Sequence, residues 1–584
     1  MKTNLRVYWL TTVMVALLLG WGASMVVAQG DPGAPGPRAV TRAEYDFGDA
    51  AFEPSESPGP IEIRASVHSP TDLTGGPFPL IILLHGRHAT CFQGADAFLE
   101  WPCTPPRQPI LSFRGYDYWA EILASHGFIV VSISANGINA VDNGIEDLGM
   151  LVRAQLIQEH LNIWNTFNTT GGTPFGDRFV GKVNLNNVGT MGHSRGGEGV
   201  VRHFVFNAAL GSPFRITAVL PLAPVDFNRP VINNVPLAVP LPYCDGDVAD
   251  LQGVHFYDDA RYNLPGDTAA KHVILVQGAN HNFYNTQWTP PPVGDGPPGA
   301  ADDWLEFVPG GPADPHCGSV AGNQRLTPAQ QRGTLVAFGS AFFRTYVGGE
   351  RDFFPILQGD APPPPSALTD QILVSYHPAD NPTRRRDVNR LLDNTNLTSN
   401  TLGGVVTQTG LTPYDLCGGE EPQPEQCLPT QPTFRQPHTT PSARAVKRGL
   451  SQLRMGWNDL SATLQNELPP GSRNVSGFVA LQFRAGVNFD DVRNPVGMPQ
   501  DFTVTLTDGA ARSATARVGA FSRALLFPPG QVLAVPKLFL NTVRIPLGAF
   551  TGVDLTNIVS VTFSYDQRAT GALMITDLAF ADAP

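Results

Sequence analysis

The chain has 584 residues, too many for one ordinary hydrophobic core, so two or more domains are expected. An apolar fraction of 42% suits packed globular domains, while 15% charged residues, 54 prolines and 59 glycines favour turns, long loops and β-structure. A net charge of −12 argues against nucleic acid and anionic membranes as partners, because both call for basic surfaces.

The first stretch reads MKTNLRVYWLTTVMVALLLGWGASMVVAQG. Lys2 and Arg6 make a basic start, an apolar run reaches Leu19, and Val26-Val27-Ala28 resembles a cleavage site. Residues 1–28 therefore read as a secretory signal cut after Ala28. A retained anchor fits less well, since Gly20, Gly22 and Ser24 interrupt the run, and no later segment is long and apolar enough to span a bilayer. The expectation is an exported protein without a membrane span. In an oxidising compartment the six cysteines read as disulfides. Cys91 with Cys103, and Cys417 with Cys427, would each clip a local loop, which leaves Cys244 and Cys317. No CxxC or CxxH cluster suggests a metal.

Residues 29–358 read as an α/β domain. IEIRASVHSP gives a leading antiparallel strand, and from Pro79 short apolar strands alternate with helical segments. PLIILLHG, FIVVSISA, NNVGTMG, ITAVLPLAP, PLAVPLPYC and KHVILVQGA read as strands. YDYWAEILASHG, the run from Asn143 to Phe167, RGGEGVVRHFVFNAALG and LTPAQQRGTLVAFGSAFFRTYVGG read as helices. Strands apolar on both faces and separated by helices imply a mostly parallel, doubly wound sheet. Residues 359–368 contain Pro362 to Pro365 and read as a stiff linker. Residues 369–584 hold alternating runs such as GFVALQFRAG, DFTVTLTDG, NTVRIPLGAF, NIVSVTFSYD and GALMITDLAF, the pattern of a β-sandwich.

Chemistry concentrates at Gly192-His193-Ser194-Arg195-Gly196, a G-x-S-x-G between a strand and an amphipathic helix. A serine on such a bend needs small neighbours, here Gly192 and Gly196, and it needs a base to become a nucleophile. His193 is expected to face away from that base. His85-Gly86, ending an earlier strand, would bring the backbone N–H of Arg87 or His88 to an oxyanion hole completed by Arg195. His281 follows the last apolar strand and is the expected base, with His316 the runner-up. The acid should follow the preceding strand, where CDGDVAD offers Asp247 first, then Asp250 and Asp245. Asp226 lies one strand too early.

At LLHGRH, GHSRGG, CDGDVAD and QGANHNFYN the chain resembles the α/β-hydrolase superfamily, within it the secreted bacterial esterases, lipases and polyester hydrolases of cutinase or dienelactone-hydrolase type. The resemblance spans about residues 60 to 348. It implies a Ser194–His281–Asp247 triad hydrolysing carboxylic esters, small or polymeric, through an acyl-enzyme and without a cofactor. Polyester hydrolases carry methionine where this chain has Arg195. Some of them link the acid and histidine loops by a disulfide three residues before the acid, which motivates pairing Cys244 with Cys317. Phe92, Trp101, Trp119 and Trp288 are candidates for an aromatic clamp. The C-terminal half resembles jelly-roll carbohydrate-binding modules, most of all in the last strand with Asp577. That implies a polysaccharide or polymer surface as partner, with Trp457 or Tyr565 stacking on sugar rings. Two further readings are an amidase or peptidase on the same triad and a non-catalytic polymer-binding protein.

Overall fold

Apolar runs form the centre of the molecule. The computed structural model describes residues 30–262, 264–290, 297, 300–391, 396–418, 427, 451–530 and 536–581. The expected signal segment lies outside them. The first strands are β1 (Val40–Asp46), β2 (Arg64–Pro70) and β3 (Phe78–Leu84). A small sheet of β4 (Cys91–Gln93), β5 (Asp96–Phe98) and β6 (Gln108–Pro109) follows. The chain continues through α1 (Asp117–Ser125), β7 (Ile129–Ile133), α2 (Asn136–Val141), α3 (Met150–Thr169), β8 (Val183–His193) and α4 (Arg195–Ala209). Next come β9 (Ile216–Leu222), β10 (Leu237–Pro242), α5 (Val254–Tyr262), β11 (Lys271–Val276), α6 (Asp303–Phe307), α7 (Pro328–Tyr346), α8 (Phe354–Gln358) and β12 (Ile372–His377).

These strands build a nine-stranded sheet in the order β1-β2-β7-β3-β8-β9-β10-β11-β12. From β7 to β11 neighbours are parallel; β1, β2 and β12 run antiparallel at the two edges. β7, β10 and β11 are buried along their whole length, as a sheet covered on both faces requires. Alternate residues of β3 feed the two covering layers. Leu80, Ile82 and Leu84 pack with Leu156 and Trp164 of α3 and Val200 of α4. Ile81 and Leu83 pack with Trp119 and Leu123 of α1 and Phe338 and Phe342 of α7. The expected α/β class with a mostly parallel, two-sided sheet is therefore observed.

The remaining strands are β13 (Arg385–Asn389), β14 (Val406–Thr409), β15 (Leu411–Cys417), β16 (Gln452–Trp457), β17 (Thr463–Glu467), β18 (Ala480–Val487), β19 (Thr503–Asp508), β20 (Ser513–Arg517), β21 (Asn541–Pro546), β22 (Ile558–Ser564) and β23 (Gly571–Ala581). They form two antiparallel sheets, β15-β16-β23-β18-β21 with β13 on β23, and β14-β17-β22-β19-β20. Residues of both sheets, among them Phe483, Val504 and Phe563, share one apolar cluster.

The two aromatic candidates of the C-terminal half depart from the sequence expectation. Trp457 and Tyr565 are fully buried and stack on each other at 4.5 Å, so neither is open to a sugar ring. Asp577 is likewise buried and ion-paired with Arg261 of α5. The strand after the proline run, β12, joins β11 antiparallel, so the chain beyond residue 369 completes the first sheet before it starts its own. From Asp31 onward the chain forms one compact unit. Among the described residues no helix is long and apolar enough to cross a membrane.

Candidate functional site

Ser194 stands at the junction of β8 and α4 with φ 58 and ψ −124, a backbone conformation that side chains rarely adopt. Its own N–H donates to the carbonyl of Leu222 on β9, and its carbonyl accepts from Gly197, so the bend is held from both sides. The sequence supplies the room. A Cβ at Gly196 would come within 2.7 Å of the His85 carbonyl, and one at Gly86 would sit 2.5 Å from the Ser194 Cβ. The β3 and β8 registers, with Leu84 opposite Gly192, bring these two loops together.

The loop after β3 is fixed by its own polar contacts. The Nε2 of His85 accepts from the N–H of Ala135, while its Nδ1 donates to the carbonyl of Gly86. Asn139 also donates to that carbonyl. Burial pushes the His85 imidazole down to about 3, so it stays neutral. Among the described residues no group accepts from the backbone N–H of Arg87, His88 or Arg195.

His281 follows β11 and is buried. Its Nδ1 lies 2.7 Å from Oδ2 of Asp245, a carboxylate only 1% exposed. Asp247, the residue expected in that position, instead lies 3.5 Å from Nε2 and is 50% exposed. The reason is local: Asp245 turns inward and accepts from the N–H groups of Asp247 and Val248, a turn that carries the second aspartate out to the rim. Burial alone would lower the His281 imidazole, but Asp245 beside it, with Asp247 and Asp303 near, raises it to about 9. Nε2 makes no hydrogen bond among the described residues, including to Ser194.

Asp303, at the start of α6, was not singled out from the sequence. Its Oδ2 accepts from the N–H of Gly246 and of His281, and its Oδ1 from Asn282, so one buried carboxylate ties the acid loop to the histidine loop. Burial and the neighbouring Asp245 push it up to about 7. Its spacing from the histidine, through a proline-rich loop, carries no motif. The disulfide Cys244–Cys317 braces the same acid loop, and Cys91–Cys103 and Cys417–Cys427 are also formed, as expected.

The other candidates separate. His316 is committed elsewhere, its Nε2 donating to the Gln277 carbonyl at 2.8 Å. Asp226 pairs with His255, and Asp250 accepts from Gln252. His193 corrects an expectation: its ring lies 4.8 Å from that of His281, and its Nδ1 bonds the Tyr116 hydroxyl, because the bend at residue 194 leaves it on the base side. Of the four aromatic candidates Trp288 reaches the site, stacked on His88 at 5.0 Å and 4.9 Å from His193. Trp119 is core, Trp101 bonds the Asp49 carbonyl, and Phe92 lies in the small hairpin. No protein-family model matches the chain, and no curated protein matches it either.

Proposed function

We propose that the protein is a serine hydrolase of carboxylic esters, of the α/β-hydrolase kind, exported and acting outside the cell. The observation that carries this reading is the buried Asp245–His281 pair at the end of the same parallel strands that present Ser194 on its bend. The disulfides support an oxidising compartment.

In this reading the Ser194 hydroxyl attacks the ester carbonyl as the neutral His281 Nε2 removes its proton. Asp245 holds the ring by Nδ1 and stabilises the imidazolium. The N–H of Arg195, with that of Arg87 or His88, receives the oxyanion, each such donor being worth about 2.7–4 kcal/mol of transition-state stabilisation. Imidazolium then protonates the departing alcohol, and water, deprotonated by His281, cleaves the acyl-enzyme. The test is direct: a fluorophosphonate probe should label the wild type at Ser194, and Ser194→Ala should lose both labelling and turnover of a short nitrophenyl ester while keeping its circular dichroism. An unlabelled wild type would instead leave a polymer-binding protein.

A further inference from the structure

Next to the candidate nucleophile lies a cluster of positive charge. Asp142, fully buried, receives Arg87 Nε at 3.1 Å, Arg153 Nη2 at 2.8 Å and Arg195 Nη1 at 2.9 Å. One carboxylate thus serves three guanidiniums. The nearby Asp147, whose oxygens accept from the N–H groups of Gly149, Met150 and Leu151 at the start of α3, adds a second negative charge on the Arg153 side, so three guanidiniums face two carboxylates.

The three arginines are not equivalent. Arg153 is wholly buried and also bonds the Oδ1 of Asn139, so it anchors Asp142 from behind. Arg87 and Arg195 keep 27% and 14% of their side chains exposed. Among the described residues Arg87 makes its bond through Nε alone, which leaves the planar Nη1/Nη2 edge uncommitted. Arg195 gives Nη2 to Asn143 and holds Nη1 in its ion pair with Asp142, so it adds charge beside the open edge of Arg87. A fork of free N–H groups on a guanidinium already fixed through Nε is the geometry that binds a carboxylate.

Its position ties it to the substrate. Arg87 follows Gly86, which abuts Ser194, and Arg195 follows Ser194 itself. We infer that Arg87 and Arg195 form an anionic subsite, so that the preferred ester carries a carboxylate near its scissile bond. This rests on the proposed hydrolase reading and names its substrate class.

The full-length protein should be assayed by pH-stat on two pairs of esters that differ only by carboxylate against methyl. Monomethyl adipate against methyl hexanoate places the charge on the acyl side; O-acetylglycolate against ethyl acetate places it on the alcohol side. In one pair the charged ester should win by roughly tenfold or more in kcat/KM, the range of a hydrogen bond to a charged group. The ratio should shrink as salt is raised and approach unity in Arg87→Gln. Free adipate should slow fluorophosphonate labelling of the wild type more than hexanoate does, a readout that needs no variant. Turnover of the neutral esters with no charged preference in either pair overturns this inference and leaves the hydrolase intact. Failure of all four esters together with failure of labelling removes both.

Discussion

At the level of single residues, the two aspartates around His281 make opposite demands on it. Asp245 on Nδ1 fixes the tautomer in which Nε2 is free to accept a proton, whereas Asp247 near Nε2 favours the protonated ring. With the imidazole raised to about 9, the neutral base is the minor form at pH 7 and its share grows as pH rises toward that value. Labelling of Ser194 should therefore increase with pH, with a midpoint near 9. Asp247→Asn removes one of the stabilising carboxylates, so its midpoint should move down and its rate at neutral pH should rise. Asp245→Asn should cost on the order of 10⁴ in rate through loss of the correct tautomer. A swap of these two outcomes would return the acid role to Asp247. The motif CDGDVAD is consistent with either aspartate, because choosing between positions 245 and 247 depends on which way a turn rolls. The backbone bonds from Asp247 and Val248 to Asp245 decide that, and no spacing rule encodes them.

Among the elements, the central strands were legible because burial on both faces leaves uninterrupted apolar runs. Helix boundaries were harder to read. The helical pattern from Asn143 becomes regular helix only at Met150, where α3 begins, because the side chain of Asp147 accepts from the N–H of Leu151 and Gly149 takes a left-handed conformation. Helix α5 went unread for a different reason. Beside the core residues Val254, Phe256 and Tyr257 its buried face carries charges, with Asp259 paired to Arg229, Asp258 to Arg484 and Arg261 to Asp577, and these interrupt the apolar pattern. The acid loop beside α5 has no long helix to hold it; Asp303 and the Cys244–Cys317 bridge do that work. The bridge closes a loop of 73 residues, worth about 4 kcal/mol on the chain-entropy model. The double variant Cys244→Ser, Cys317→Ser should melt well below the wild type and lose labelling in the same proportion as native signal. An unchanged melting temperature would contradict the brace.

On the scale of the whole molecule, the β-rich C-terminal half contributes to the candidate site's frame. Lys537, fully buried, donates to the Tyr243 carbonyl at 2.8 Å, and its backbone N–H donates to the Tyr243 hydroxyl, two residues before Asp245. Burial brings that ammonium down to about 8, against the pull of Asp245, Asp250, Asp303 and Asp314. Arg544 binds Asp360, Arg484 binds Asp258, and β12 covers the open edge of β11. The proline run reads as a divider in sequence because composition reports local stiffness; which sheet the next strand joins is set by partners far along the chain. Cutting the protein after residue 368 would expose the β11 edge and take the cation away from the acid loop. It would also remove Arg484 and Asp577 from buried ion pairs, and breaking one such pair typically costs about 3–5 kcal/mol. The truncated chain should therefore be recovered aggregated, or soluble without cooperative melting and without probe labelling. A soluble fragment that melts and labels like the full chain would show that the first sheet and its site stand without the second half.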